Sequence, residues 1–210
     1  GGDFFDVFPV EKGCTGLVVA DLSGKGLSAA SEVATVRNMT RYALYTATTM
    51  ADAVTQLNQV LAEQNLLTGF ATLFLGTYDH ALRTLTYVNC GQEPGLVWRS
   101  GTGEVEELRP TGSVLGGFAG SVFQQEVVPL FRGDVLALFT DGMTEVGATR
   151  REMLEIAGIT RLLRECAREG TKIAEGNRAE AITAALIAGI DAFGEGGARD
   201  DIALLVGVVQ

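Results

Sequence analysis

The sequence predicts an α+β fold in which two mainly antiparallel sheets are stacked and flanked by helix pairs. Three observations lead there. The elements run as strands, two helices, a series of strands, two helices and a closing strand. Hairpin links dominate, and strands do not alternate one for one with helices, which argues against a doubly wound parallel sheet. The chain has 210 residues, 47% hydrophobic and 20% charged, enough for a single domain over residues 1–210 with a sizeable core.

The elements follow in order. Phe4 to Val10 reads as a strand, Glu11-Lys12-Gly13 as a hairpin turn, and Thr15 to Asp21 as the returning strand. Ala29, Ala30, Val33, Val36, Thr40 and Ala43 recur at helical spacing, which predicts a helix over 28–45 with Ser28 as its cap. Ala53, Val54, Leu57, Val60 and Leu61 predict a second helix from Asp52, whose acid suits a helix N-terminus. Phe70 to Tyr78 and Thr84 to Cys90 form a hairpin. Gly95 to Trp98, Glu104 to Leu108, Val122 to Val128 and Asp134 to Phe139 are shorter strands. Helices are predicted over Ile159 to Ala167 and Ala179 to Phe193. Ile202 to Val209 is almost wholly apolar and predicts a central strand buried on both faces.

Composition narrows the function. The net charge is -10, which argues against a nucleic-acid partner, since such binding rests on clustered Lys and Arg. No apolar run is long enough to cross a bilayer, so no membrane contact is expected. Cys14, Cys90 and Cys166 are odd in number and widely spaced, which fits no zinc pattern and suggests a reducing, cytoplasmic setting. The chain opens inside a motif without a starting Met and is read as a C-terminal piece of a longer, sensor-containing protein.

The chemistry gathers at acidic turns. Asp21-Leu22-Ser23-Gly24-Lys25-Gly26 follows the strand Leu17 to Ala20, so Asp21 falls where a strand stops and the chain turns. A carboxylate on such a turn, with carbonyls beside it, suits a hard divalent cation. Asp141 after Phe139, Asp200-Asp201 before Ile202, and Asp3 near the start repeat the pattern. These carboxylates are expected to meet around metal ions, although Asp-Gly pairs also serve as plain turns and Asp200-Asp201 could be solvated edge charges. Gly24-Lys25-Gly26 lacks the glycine spacing and the following Ser or Thr of a nucleotide phosphate loop.

Gly1-Gly2-Asp3-Phe4-Phe5-Asp6, Asp21 to Gly26 with Ala29-Ala30, Phe70 to Phe74, Asn89-Cys90-Gly91, Gly133-Asp134, Thr140 to Glu145 and Asp200-Asp201-Ile202 occur in that order. Together they resemble the metal-dependent protein phosphatase 2C family, in its bacterial SpoIIE and RsbU branch. The resemblance implies a four-layer α-β-β-α sandwich. It implies a serine/threonine phosphatase in which a hydroxide held between two Mn²⁺ or Mg²⁺ ions attacks phosphoserine or phosphothreonine. It assigns Asp21 as the metal-bridging carboxylate, the Leu22 carbonyl as a backbone ligand, Asp141 and Asp200 as further ligands, and Asp3 as an acid at the metal site. These four acids are the implied catalytic set. By the same resemblance the substrate is a phosphorylated anti-anti-sigma protein of the STAS type, and the helices over 28–66 form a regulatory element and a possible homodimer surface. Ser23 stands where many eukaryotic members carry His, Gln92 where the branch often has His, and Ala203 where Thr is usual. A phosphatase-like binding module without turnover, and a hydrolase of small phosphoesters, are the alternatives.

Overall fold

The computed structural model describes residues 1–11, 13–24, 27–147, 153–194 and 201–210. The chain divides into two compact units, Gly1–Glu93 with Arg109–Pro129, and Pro94–Leu108 with Leu130–Gln210. Each is one antiparallel sheet with one helix pair, so the α+β class read from the sequence is what the chain adopts.

The first unit holds β1 (Phe4–Pro9), β2 (Cys14–Leu22), β3 (Ala71–Asp79), β4 (Thr84–Cys90) and β7 (Glu126–Pro129), paired in the order β1-β2-β3-β4-β7. Its helices are α1 (Leu27–Thr46) and α2 (Met50–Glu63). Strand alternation sends Val18, Ala20 and Leu22 of β2, Leu73 and Leu75 of β3, and Val88 and Cys90 of β4 to one sheet face. There they meet Val36 and Ala43 of α1 and Val54, Leu57 and Leu61 of α2 in one buried cluster. Val19, Phe74 and Tyr87 are buried on the opposite face, where Phe74 and Tyr87 stack with centroids 5.2 Å apart. Asp21 belongs to that second face by the same alternation.

α1 begins one residue before Ser28, so Ser28 lies in the first turn rather than at the cap. α2 is capped by Thr49, whose Oγ1 accepts from Asp52 N at 3.1 Å and donates to Asp52 Oδ2 at 2.7 Å. That reciprocal arrangement satisfies an otherwise orphaned amide. The predicted strand over 122–128 is shorter at its start. Phe123 instead buries its ring against Gly112, and Gln124 N bonds Thr111 O, so pairing with β4 begins only at Glu126.

α1 is tied to β1 through Asp6. Its carboxylate, nearly buried, accepts from Arg41 Nε and Nη2, both at 2.7 Å, and from Arg37 Nε at 3.1 Å and Nη2 at 3.3 Å. Arg41 also lies 4.6 Å over the Phe8 ring. Burial pushes the Asp6 carboxyl up, but the hydrogen bonds and charges of Arg41 and Arg37 outweigh it and hold the group below the usual aspartate range. A depressed folded-state pKa contributes stability above the unfolded value, which is about 3.9, and loses it as pH falls through the folded value. Asp6→Asn is therefore expected to be less stable than the parent at pH 7, with the gap closing as pH falls below about 4. Urea unfolding at stepped pH reads this, and a gap independent of pH would refute it.

The second unit holds β5 (Gly95–Trp98), β6 (Val105–Leu108), β8 (Val135–Phe139) and β9 (Leu204–Val208), in the order β6-β5-β8-β9. Its helices are α3 (Glu155–Gly170) and α4 (Arg178–Phe193). Leu96, Trp98, Val135, Ala137 and Phe139 pack against Ile159, Leu163 and Ala167 of α3 and Ile182, Leu186 and Ile190 of α4. The expectation of a central closing strand is corrected: among the described residues β9 is an edge strand, and of its residues only Leu205 is buried. Its apolar run is still needed, because Leu204, Val206 and Val208 face the helix cluster while Leu205 points to the other side.

Candidate metal centre

In the first unit, β1 and β2 pair with Phe4 opposite Ala20. One step further places Asp3 opposite Asp21, and the next places Gly2 opposite Leu22, where Leu22 N donates to Gly2 O at 3.3 Å. Asp3 and Asp21 are thus a directly opposed, non-hydrogen-bonded pair on one sheet face, a geometry that brings Cα atoms to about 4.5 Å. A Cβ at Gly2 would overlap the Leu22 carbonyl oxygen, so only glycine lets the chain run this close to that group. Asp3 Oδ2 is buried and has no hydrogen-bond partner among the described residues.

The row continues across the sheet. Asp21 lies opposite Thr72 of β3, whose hydroxyl donates to Gln92 Oε1. Gln92 is buried in a turn held by Asn89, whose Oδ1 accepts from Gln92 N at 2.9 Å and whose Nδ2 donates to Glu93 O at 3.2 Å. Gly91 sits in that turn at φ +67°, which favours glycine. Ser23, two residues after Asp21, is fully engaged with the Phe70 backbone: its Oγ donates to Phe70 O and accepts from Phe70 N, both at 2.8 Å. Ser23 is therefore a fastener for the end of β2, and a proton-transfer role for its hydroxyl finds no support in this geometry.

In the second unit, β8 runs into a 3-10 turn at Asp141–Met143. The β8–β9 register continues past the strands, with Thr140 N donating to Ala203 O at 3.1 Å and Ala203 N donating to Thr140 Oγ1 at 2.9 Å. That register puts Asp141 opposite Ile202 and Gly142 opposite Asp201. A Cβ on Gly142 would overlap the Asp201 carbonyl oxygen, so the Asp141 turn lies directly on the segment that Asp201 opens. Asp141 O accepts from Thr144 N at 2.8 Å and Glu145 N at 2.9 Å, which closes the turn. Asp200 and Lys25 lie outside the described residues.

The structure thus pairs Asp3 with Asp21 beside Leu22 in one unit, and in the other sets Asp141 against the Asp201 segment. Among the described residues no group of three or more His, Cys, Asp or Glu forms a metal-holding cluster. The donors that are present fit a hard divalent cation. Two opposed carboxylates repel unless a cation lies between them or nearby, a carbonyl is held next to them, and one carboxylate oxygen is buried without a donor of its own. Sequence reasoning named Ser23 and Gln92 only as departures from the family pattern, and it did not read Thr72, the nearness of Gln92 to it, or the Phe70 partner of Ser23. Their placement depends on strand register across 20 to 51 residues of chain, which no local pattern carries.

Comparison with known proteins agrees with the fold. The family model for Stage II sporulation protein E (SpoIIE) matches residues 11–209. Phosphoserine phosphatase RsbU of Bacillus subtilis is 29% identical over 168 residues, covering 78% of this chain and 48% of RsbU. Protein IcfG of Synechocystis is 27% identical over 180 residues, covering 72% of this chain and 28% of that protein. The chain therefore spans about half of one of these relatives and less of the other. Among solved structures, the RsbU and RsbW domains of a Mycobacterium tuberculosis protein superpose with a TM-score of 0.82 at 24% identity, over 98% of this chain and 56% of that one. The SiaA-PP2C domain of Pseudomonas aeruginosa gives 0.78 at 23% identity, over 100% and 81%. At those identities the structures speak for the fold alone, which is that of PP2C domains. The family match takes in every strand except β1 and both helix pairs, and the chain belongs to the SpoIIE family.

Proposed function

We propose that this chain is a single-domain, metal-dependent protein serine/threonine phosphatase acting on phosphoserine or phosphothreonine. The observation that carries the reading is the opposed Asp3–Asp21 pair, with the Leu22 carbonyl beside it and a buried Asp3 oxygen that has no donor. In this reading Asp3, Asp21, the Leu22 carbonyl, Asp141 and Asp200 hold two Mn²⁺ or Mg²⁺ ions. Bound there, such ions supply a water-derived nucleophile at neutral pH and offset the charge of the phosphoryl group. The chain's own work is positional. Gly2 permits the close β1–β2 approach, Ser23 fixes the strand end that carries Asp21 and Leu22, and the Gln92–Thr72 contact holds the adjoining strand. The Asp141 turn is held against the Asp201 segment by Gly142.

The relatives support the reading: RsbU is a phosphoserine phosphatase by name, and a structural neighbour, RsbX, was solved with magnesium at a TM-score of 0.70. The substrate we propose is a phosphorylated anti-anti-sigma protein of the STAS type, in the cytoplasm. The Mycobacterium neighbour carries an RsbW domain beside its RsbU domain, which fits that setting. No helix among the described residues is long and apolar enough to cross a membrane. The helices α1 and α2 are proposed as the regulatory and homodimer surface, where Tyr42 and Tyr45 are 70% and 81% exposed.

The test is turnover of a phosphoserine STAS protein and of p-nitrophenyl phosphate, with Mn²⁺ and with chelator. Metal-dependent turnover that favours the protein substrate is expected. Metal binding without turnover on either substrate would leave the partner-binding module. Preference for the small ester would move the reading to a small-phosphoester hydrolase. If the purified chain is already fully active and changes at Tyr42 and Tyr45 alter neither rate nor oligomeric state, the regulatory reading of α1 fails.

A further inference from the structure

We propose that Arg178 and Trp98 form a binding site for one small oxyanion in the second unit, independent of the carboxylate site. Arg178 opens α4 and is 7% exposed. Its Nε and Nη2 are buried and neither has an acceptor among the described residues. The guanidinium carbon lies 5.8 Å from the centroid of the Trp98 ring, and Trp98, 4% exposed, has a buried Nε1 that also lacks an acceptor. Three buried donor nitrogens, with four N–H groups between them, on two adjacent side chains thus have no acceptor among the described residues. Buried polar groups in folded proteins are almost always hydrogen-bonded, and buried charges are paired. The ring face attracts the cation but offers no lone pair to Nε or Nη2.

The neighbouring acids are committed elsewhere. Asp134 accepts from Arg99 Nη1 and from the Ser100 and Phe131 backbone amides, and Glu175 pairs with Arg132 at 2.9 Å. Arg178 also stands at the positive end of the α4 dipole, where a cation is unfavourable unless an anion sits beside it. Asn177, which precedes it, makes no side-chain capping bond. Gly133, at φ +90°, lies against the guanidinium: a Cβ there would stand 3.8 Å from Arg178 Nη1, an ordinary contact. Charge, donors and helix end all call for the same occupant, a small oxyanion, and inorganic phosphate is the probe for it. Gly133 precedes β8 and Asp141 follows it, so at strand rise the two ends lie roughly 20 Å or more apart.

Trp98 is the sole tryptophan, so its emission reports this site alone. The full chain, in chelator and at constant ionic strength, would be titrated with sodium phosphate against a sodium chloride control while tryptophan emission and the melting temperature are followed. The chelator makes the outcome independent of the phosphatase reading. A saturable emission change and a rise in melting temperature are expected for the parent, both absent in Arg178→Met, with Arg178→Lys half-saturating at about tenfold higher phosphate, the factor for a shift of 1.4 kcal/mol. Arg178→Met removes an unpaired buried cation and keeps the apolar stem, so it is expected to fold. If it does not, the Arg178→Lys shift decides. No saturable change in the parent, an equal change in Arg178→Met, or an unshifted Arg178→Lys would overturn the proposal.

Discussion

Asp21→Asn is expected to lower metal-dependent turnover of a phosphoserine protein by a factor of about 10² to 10⁴, equivalent to roughly 3–5 kcal/mol of transition-state stabilisation. Asn has nearly the shape of Asp and still offers one acceptor, so the β2 register and the Ser23–Phe70 fastening should survive. What disappears is the negative charge opposite Asp3. Ligand affinity for a hard cation depends on that charge. A second readout separates this from unfolding. In chelator the variant should melt at or above the parent temperature, because two opposed carboxylates no longer repel across β1 and β2. With Mn²⁺ at a hundred times its dissociation constant, the parent should gain about 2.7 kcal/mol and the variant much less. Turnover within threefold of the parent, with the same metal dependence, would remove Asp21 from the site.

The secondary structure was largely legible because it rests on local patterns. β4 and β5 were read at the bounds they have, and α4 to within one residue, since Ile182, Leu186 and Ile190 repeat at four-residue spacing onto one core. β7 was overread at its start because Val122 and Phe123 look like strand, yet Phe123 serves the loop core against Gly112. β9 was misplaced because an apolar run records how many faces are covered and not whether a strand has two neighbours. In the candidate site, the acids showed as turn residues after strands. The opposition of Asp3 to Asp21 came only with register, and so did the use of Ser23 as a fastener. The glycines were visible as turn formers, but nothing in the sequence says that Gly2 and Gly142 are there to admit a carbonyl oxygen. Asp134 was visible only as part of a Gly-Asp motif, and the structure gives it a specific task.

That task makes Asp134→Ala the substitution expected to cost the most stability, about 3–5 kcal/mol, the range for breaking a buried charge pair by removing one partner. Asp134 is 1% exposed. Its carboxylate accepts from Arg99 Nη1 and Ser100 N, both at 2.9 Å, from Phe131 N at 3.0 Å and from Ser100 Oγ at 3.1 Å. Its backbone N donates to Phe131 O at 2.9 Å, and its O accepts from Val209 N at 3.0 Å. One residue thereby joins the start of β8, the turn after β5 and the end of β9. Removing the carboxylate leaves two backbone amides without that acceptor and takes from the largely buried Arg99 guanidinium one of its carboxylate partners, with Glu106 still bound to it. At 2–4 °C per kcal/mol for a chain of this length, the melting temperature should fall by roughly 10 °C. Asp134→Asn, which keeps an acceptor oxygen but loses the charge facing Arg99, should fall by less. The order parent, Asn, Ala in thermal unfolding is the discriminating result. If Ala melts within about 2 °C of the parent, less than a 1 kcal/mol change produces in a chain of this length, water replaces the carboxylate at little cost and the Gly133-Asp134 motif has some role other than joining these three strands.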